Sequence, residues 1–202
     1  MARKPPTRSF ADAPRHEGTR FEGVQQGELD LEGAIVSGCE FVRCDLTEAS
    51  FKGTQFTDCK FDGCELGLID LEGAVLSNLT FDTCRLTGVR FELISQLPLL
   101  PEVRFSGCDL SFCSFRGLDL KLCAVIGSRL WESEFVGCDL TGVDFSGSDL
   151  ARCSFNKNDL AGADLRSARN YIFSPVSNNV RGLRVALPEA VGLLHALAVE
   201  LE

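Results

Sequence analysis

Over two long stretches every fifth residue of this chain is large and apolar, and no other feature restricts its fold as strongly. From 31 to 91 the series reads Leu31, Val36, Phe41, Leu46, Phe51, Phe56, Phe61, Leu66, Leu71, Leu76, Phe81, Leu86, Phe91. From 105 to 165 it reads Phe105, Leu110, Phe115, Leu120, Val125, Leu130, Phe135, Leu140, Phe145, Leu150, Phe155, Leu160, Leu165. Phe21 extends the first series backward. An α-helix repeats at 3.6 residues and a strand at two, so neither generates a period of five. Two residues before each centre stands a small or apolar side chain (Ala34, Cys39, Cys44, Ala49, Thr54), and all ten cysteines of the 202 residues occupy this slot. The residue between slot and centre is often acidic, and the one two after the centre is often Gly, as at Gly33, Gly53 and Gly63.

Four such units make a second period of 20, visible as the columns Phe21, Phe41, Phe61, Phe81 and Leu46, Leu66, Leu86. The two series are out of phase by four residues. Adding 24 to Leu86 reaches Leu110, and then Leu130 and Leu150, so the columns continue if four residues are extruded between them. The stretch Gln96–Pro101 is expected to bulge from the edge of a continuous rod, with a break between two domains as the other reading. Leu97, Leu99 and Leu100 would be partly exposed there or folded over the coil mouth.

The pattern small–acidic–Leu/Phe–polar–Gly resembles the pentapeptide-repeat family across roughly residues 19–170. That resemblance implies an all-β solenoid, a right-handed quadrilateral β-helix with four pentapeptides per coil. Coils would stack at about the 4.8 Å strand spacing. One coil cannot bury its own apolar face, so stability has to come from its neighbours. Residues 1–18, basic and Pro-bearing, read as a flexible tail without the apolar stretch of a signal peptide. Residues 171–202 read as a cap. Pro188 and Glu189 suit the first turn of a helix over about 188–198, with Val191, Leu194, Leu197 and Ala198 on one face. Together with Leu187, Leu193 and Leu201 this is more apolar surface than a cap requires, and it points to a two-fold dimer through Leu187, Val191, Leu194, Leu197 and Leu201.

Covalent chemistry finds no support in the sequence. The cysteines lack a C-x-x-C pair and stand where Ala is usual, so buried apolar filler with free thiols is the expectation. His16 and His195 fall outside the repeats and leave no base for a nucleophile. No phosphate-binding loop occurs. The expectation is a non-enzymatic protein with no catalytic, metal or cofactor site. No run of about 18 apolar residues exists, so no membrane span is expected, and the chain reads as cytoplasmic.

A surface remains. The net charge is −9, which opposes direct contact with nucleic acid. Residues 21–170 carry 24 acidic against 13 basic side chains, or −11, arranged in the ladders Asp45/Glu65/Asp109 and Asp119/Asp139/Asp159. Such a rod could attract a basic DNA-binding groove, or its charge could serve solubility only. The C-terminal stretch from Asn170-Tyr171 through LPEAVGLLHALAVELE resembles bacterial immunity proteins that protect DNA gyrase, most of all the albicidin-resistance type, with the quinolone-resistance members more distant. That resemblance implies a homodimer joined at its C-terminal ends that acts as a DNA mimic on gyrase or topoisomerase IV. The six ladder residues and Leu97, Leu99 and Leu100 would then be the topoisomerase contacts. An interaction scaffold with some other protein partner is the alternative.

Overall fold

A computed structural model describes residues 14–26, 29–95, 102–121 and 123–199. The chain winds as a quadrilateral β-helix in which each residue pairs with the one a coil later. Phe21, Phe41 and Phe61 are Cα partners in parallel register, as are Val36, Phe56 and Leu76. Across the out-of-phase region Leu79 pairs with Val103 and Phe81 with Phe105, so the columns run through without a shift of face. Residues 96–101, including Leu97, Leu99 and Leu100, lie outside the described residues.

The period of five follows from the square section. Each side is one pentapeptide long, its centre points inward, and the slot residue two earlier points inward beside the preceding corner. All the centres from Leu31 to Leu165 are buried. In the column of Phe21, Phe41, Phe61, Phe81 and Phe105 successive rings stack at 4.9, 4.6, 4.9 and 5.2 Å. Phe91, Phe115, Phe135 and Phe155 do the same at 4.7, 4.8 and 4.9 Å. These spacings match the strand spacing, so the ring stack and the backbone ladder reinforce each other. Corners are tight turns whose last residue has positive φ, for example Gly53 at 64° and Gly63 at 61°. A side chain there meets its own backbone, which is why Gly recurs two residues after the centre.

Both ends depart from the expected boundaries. Arg15–Glu17 is already a strand and pairs with Ile35–Ser37, so the first coil begins inside the expected tail. His16 is therefore a centre residue, half-buried with its ring 5.4 Å from Phe21, not a residue outside the repeats. At the other end the ladder continues past 170: Asp159 bridges to Asn179, and Asp164 to Arg184. Val180 and Val185 are the centres of those last units, and they were missed because Asn170 and Pro175 interrupt the series. Between them Tyr171 and Phe173 turn inward and are buried. The terminal helix is shorter than expected. Only Val191–His195 is α-helical (α1), and the flanking amides of Val191, Leu197 and Ala198 bond three residues back, closing turns. Pro188 brings no amide hydrogen, and Gly192, a weak helix former, is packed so closely that a Cβ would lie 2.7 Å from the Tyr171 carbonyl.

The slot residues do more than fill space. The thiol of Cys64 donates to the carbonyl of Phe41, that of Cys113 to Leu86 and that of Cys138 to Phe115, at 3.3, 3.0 and 3.2 Å. Ser133 and Ser148 donate in the same way to Leu110 and Val125 at 2.7 and 2.8 Å. In each case the acceptor is a centre residue one coil earlier, on the preceding face. Where the slot holds Cys or Ser its side chain reaches a buried carbonyl, which the Ala and Val of other slots, such as Ala34, Ala74 and Val89, cannot do. Burial pushes the Cys113 and Cys153 thiols up to about 12, and all ten cysteines are free and buried.

Two outcomes follow. Cys113→Ala strands the Leu86 carbonyl and lowers unfolding stability by about 1–2 kcal/mol, whereas Cys113→Ser, which keeps a donor, loses less; urea titration separates them. Folded protein at pH 8 leaves a disulfide-exchange thiol reagent unconsumed, and unfolded protein titrates all ten thiols.

Candidate partner-binding faces

The acidic residue before each centre has a local task. Its carboxylate accepts the backbone N–H two residues on: Thr47 to Asp45 at 3.1 Å, Ser111 to Asp109 at 3.0 Å, Thr141 to Asp139 at 3.1 Å, Ala161 to Asp159 at 2.9 Å. This is the Asx turn, and it explains Asp at this position without reference to any partner. One carboxylate oxygen stays outward, so each such residue still contributes charge to the surface.

The two expected ladders have different surroundings. Asp119, Asp139 and Asp159 are consecutive rungs of one column, each bridged to the next. Lys121 reaches Asp119 at 3.0 Å and Asp139 at 3.2 Å, and Asn179 donates to Asp159 at 2.9 Å. Partial burial works to raise Asp139, but hydrogen bonds from Thr141 and Lys121 prevail and hold it below the usual carboxylate range. The adjoining face adds Asp144 and Asp164, also successive rungs. The other expected ladder is not a run of acids. Arg85 stands between Glu65 and Asp109, and Arg129 and Arg169 follow further along, so that column alternates in sign. The column arithmetic already contains this, since 20 residues on from Glu65 stands Arg85 and 24 further stands Asp109. A third acidic pair, Asp62 and Asp82, lies in register on the position after the centre, where the periodic reading did not look.

Asp164 is the most tightly held acid. Arg166 and Arg184 bond its carboxylate at 2.8 and 2.9 Å, and the Arg166 hydrogen bond above all brings it down to about 2 against the opposing effect of burial.

At the C-terminal end Leu187, Leu194 and Leu197 are exposed, Val191 is half-buried, and Leu201 lies outside the described residues. Ile172, Val176 and Val199 add exposed apolar surface in the same segment, while Leu193 packs on the core. Among the described residues no group of His, Cys, Asp or Glu gathers closely enough to hold a metal ion, and no helix is long and apolar enough to cross a membrane.

Residues 34–96 match the profile described as the pentapeptide repeat region, and residues 133–169 match that of pentapeptide repeats in eight copies. The fold is the pentapeptide-repeat β-helix. Among solved structures, two trypsin-treated variants of QnrB1, a plasmid-mediated fluoroquinolone resistance protein, are similar at 17% identity. Their TM-scores are 0.52 and 0.53; each match covers 93% of this chain, and 100% and 99% of the QnrB1 chains. At that identity the likeness concerns the solenoid itself. No curated protein matches the chain in sequence.

The held-down Asp164 has a pH consequence. A carboxyl whose folded pKa is depressed adds stability above its unfolded value, near 3.9, and loses it as pH falls toward the folded value. Acid unfolding of the parent therefore steepens between about pH 4 and the folded value of about 2, and Asp164→Asn flattens that part of the curve, as circular dichroism at graded pH will register.

Proposed function

We propose that this pentapeptide-repeat solenoid binds DNA gyrase or topoisomerase IV in place of DNA and protects the enzyme from a topoisomerase poison. The observation that carries the reading is the acidic surface built from Asp119, Asp139 and Asp159 with the adjoining Asp144 and Asp164. These five acids lie on three coils of ~4.8 Å, or one charge per ~2.9 Å. Duplex DNA carries one per ~1.7 Å, so the surface comes within a factor of two of it before Lys121, Arg166 and Arg184 are counted. The C-terminal resemblance to gyrase-protecting immunity proteins supports the same reading. The other expected ladder contributes less, since Asp45, Glu65 and Asp109 share their column with arginines. Leu97, Leu99 and Leu100 remain candidate contacts by their position at the extrusion. The exposed Leu187, Leu194 and Leu197, with Val191 and Leu201, would join two copies at their C-terminal ends.

A scaffold with an unrelated protein partner is the second reading, and the neutral, alternating column favours it, because such a surface does not imitate a polyanion.

Asn preserves the Asx-turn acceptor while removing charge, as Asn179 does for the Arg181 amide at 3.2 Å. In a gyrase supercoiling assay with a poison, the parent is expected to restore activity. Asp119→Asn/Asp139→Asn/Asp159→Asn should need roughly tenfold more protein for the same effect, with unchanged melting. If the parent neither protects nor inhibits at micromolar concentration, the topoisomerase reading is lost. If the triple variant protects like the parent, the face assignment is wrong.

A further inference from the structure

One side of the solenoid differs from the other three. Its outward column opens with two acids, Asp45 and Glu65, and continues as Arg85, Asp109, Arg129, Asp149, Arg169, one residue per coil, with the sign reversing at every step from Glu65 on. Its corner is also unlike the others. Elsewhere glycine holds most of the positive-φ positions, as at Gly107, Gly127 and Gly147. Here Gly88 is the one glycine of six: Glu48, Leu68, Phe112, Glu132 and Arg152 adopt φ of 58°, 56°, 62°, 56° and 59° with full side chains. That conformation is strained for anything but glycine, and bulky residues persist in it where they serve a purpose. Phe112 is 51% exposed and meets Trp131 edge to face at 5.3 Å. Arg129 and Arg152 lie over the Trp131 ring at 5.5 and 5.7 Å, and Arg152 is anchored to Glu132 at 2.7 Å. The result is an exposed Phe112 packed on a half-buried Trp131 that lies between arginines.

An alternating column is complementary to itself when two copies lie face to face and antiparallel, provided the symmetry axis falls between opposite charges. Place a two-fold axis along the strand direction, midway between the coil of Asp109 and the coil of Arg129. Asp109 then faces Arg129 of a second copy, Arg85 faces Asp149, and Glu65 faces Arg169, each pair occurring twice. The same axis sets Trp131 opposite Ser111 and brings Phe112 of each copy beside Trp131 of the other. Charge alternation and the aromatic pair are separate observations, and both centre on the same two coils.

We propose that this face is a homotypic contact through which two copies of the chain pair antiparallel, with four aromatic rings on the axis and ion pairs on either side. An apolar, aromatic centre with a charged surround is the usual anatomy of an interface. At about 0.15 M salt the overall negative charge is screened beyond about 8 Å, and the close pairs survive. Six coils of ~4.8 Å and a face about 15 Å wide bury about 400 Å² per copy, below the standard interface, so the pairing is weak and transient. It is independent of the topoisomerase reading and distinct from joining at the C-terminal end.

Sedimentation velocity on the full chain tests it by exchange of charge. Arg129→Glu/Arg169→Glu sets acid against acid in its own pairing, and Glu65→Arg/Asp109→Arg sets base against base. Each alone should associate at least tenfold more weakly than the parent, while their equimolar mixture regains all six opposed pairs and associates like the parent. Asp109→Arg also removes the hydrogen bonds to Ser111, so Arg169→Glu mixed with Glu65→Arg repeats the exchange on exposed side chains only, with a smaller shift. Phe112→Ser/Trp131→Ser should weaken parental pairing at least tenfold without lowering the melting temperature. Joining at the C-terminal end would be common to every sample, so the face contact is read as association beyond the oligomer that parent and charge variants share. Two results overturn the proposal: a parent that shows none, or mixtures that fail to recover it.

Discussion

The structure depends on two repeats being commensurate. Parallel strands must lie about 4.8 Å apart to share hydrogen bonds, and the phenyl rings inside stack at 4.6–5.2 Å. Because the spacings coincide, every coil closes a backbone ladder and a side-chain stack in one step. Neither could be relaxed without breaking the other, which holds the section square from the strand at Arg15–Glu17 to the bridge at Arg184. The four extra residues between the two series are tolerated for the same reason: Phe81 still finds Phe105 one coil on, so the stack is uninterrupted.

Many residues that look functional in a linear reading are first of all structural. Cysteine in the slot is a donor that fits beneath the neighbouring corner, and aspartate before the centre closes a turn. The repeat therefore fills its outer surface with acids for local reasons, and a partner could make use of the remaining carboxylate oxygen of each. What separates one face from another is which cations interrupt the acids. Lys121 sits among Asp119, Asp139 and Asp159 without breaking their succession, whereas Arg85, Arg129 and Arg169 are themselves rungs of the column two faces away. The first arrangement imitates a polyanion; the second is neutral and patterned, suited to a surface carrying the same pattern.

The ends obey a different rule. A stacked coil needs a neighbour, and the final coil has none, so its centres Val180 and Val185 are only half-buried where earlier centres are buried. Tyr171, Phe173 and α1 cover part of that opening, with Glu189 accepting the Asn170 amide at 2.8 Å to hold the segment down. The exposed leucines beyond mark where coverage stops.

The sequence alone determined the solenoid, the 20-residue coil, the inward set and the continuity of columns across the extrusion. A period of five excludes a helix and a lone strand, and the resemblance of the repeat to the pentapeptide family supplied the coil that buries its centres. The tertiary structure decided what the period does not encode. It showed that thiols and hydroxyls of the slot reach carbonyls on the coil below. It showed too that His16, Val180 and Val185 belong to coils although their neighbours in the series are irregular, and that the terminal helix is one turn of α-structure. The physical reason is the same in each case. Such contacts join residues 20 to 27 positions apart on different faces, where a side chain's partner is set by how the coil closes and not by its neighbours in the chain.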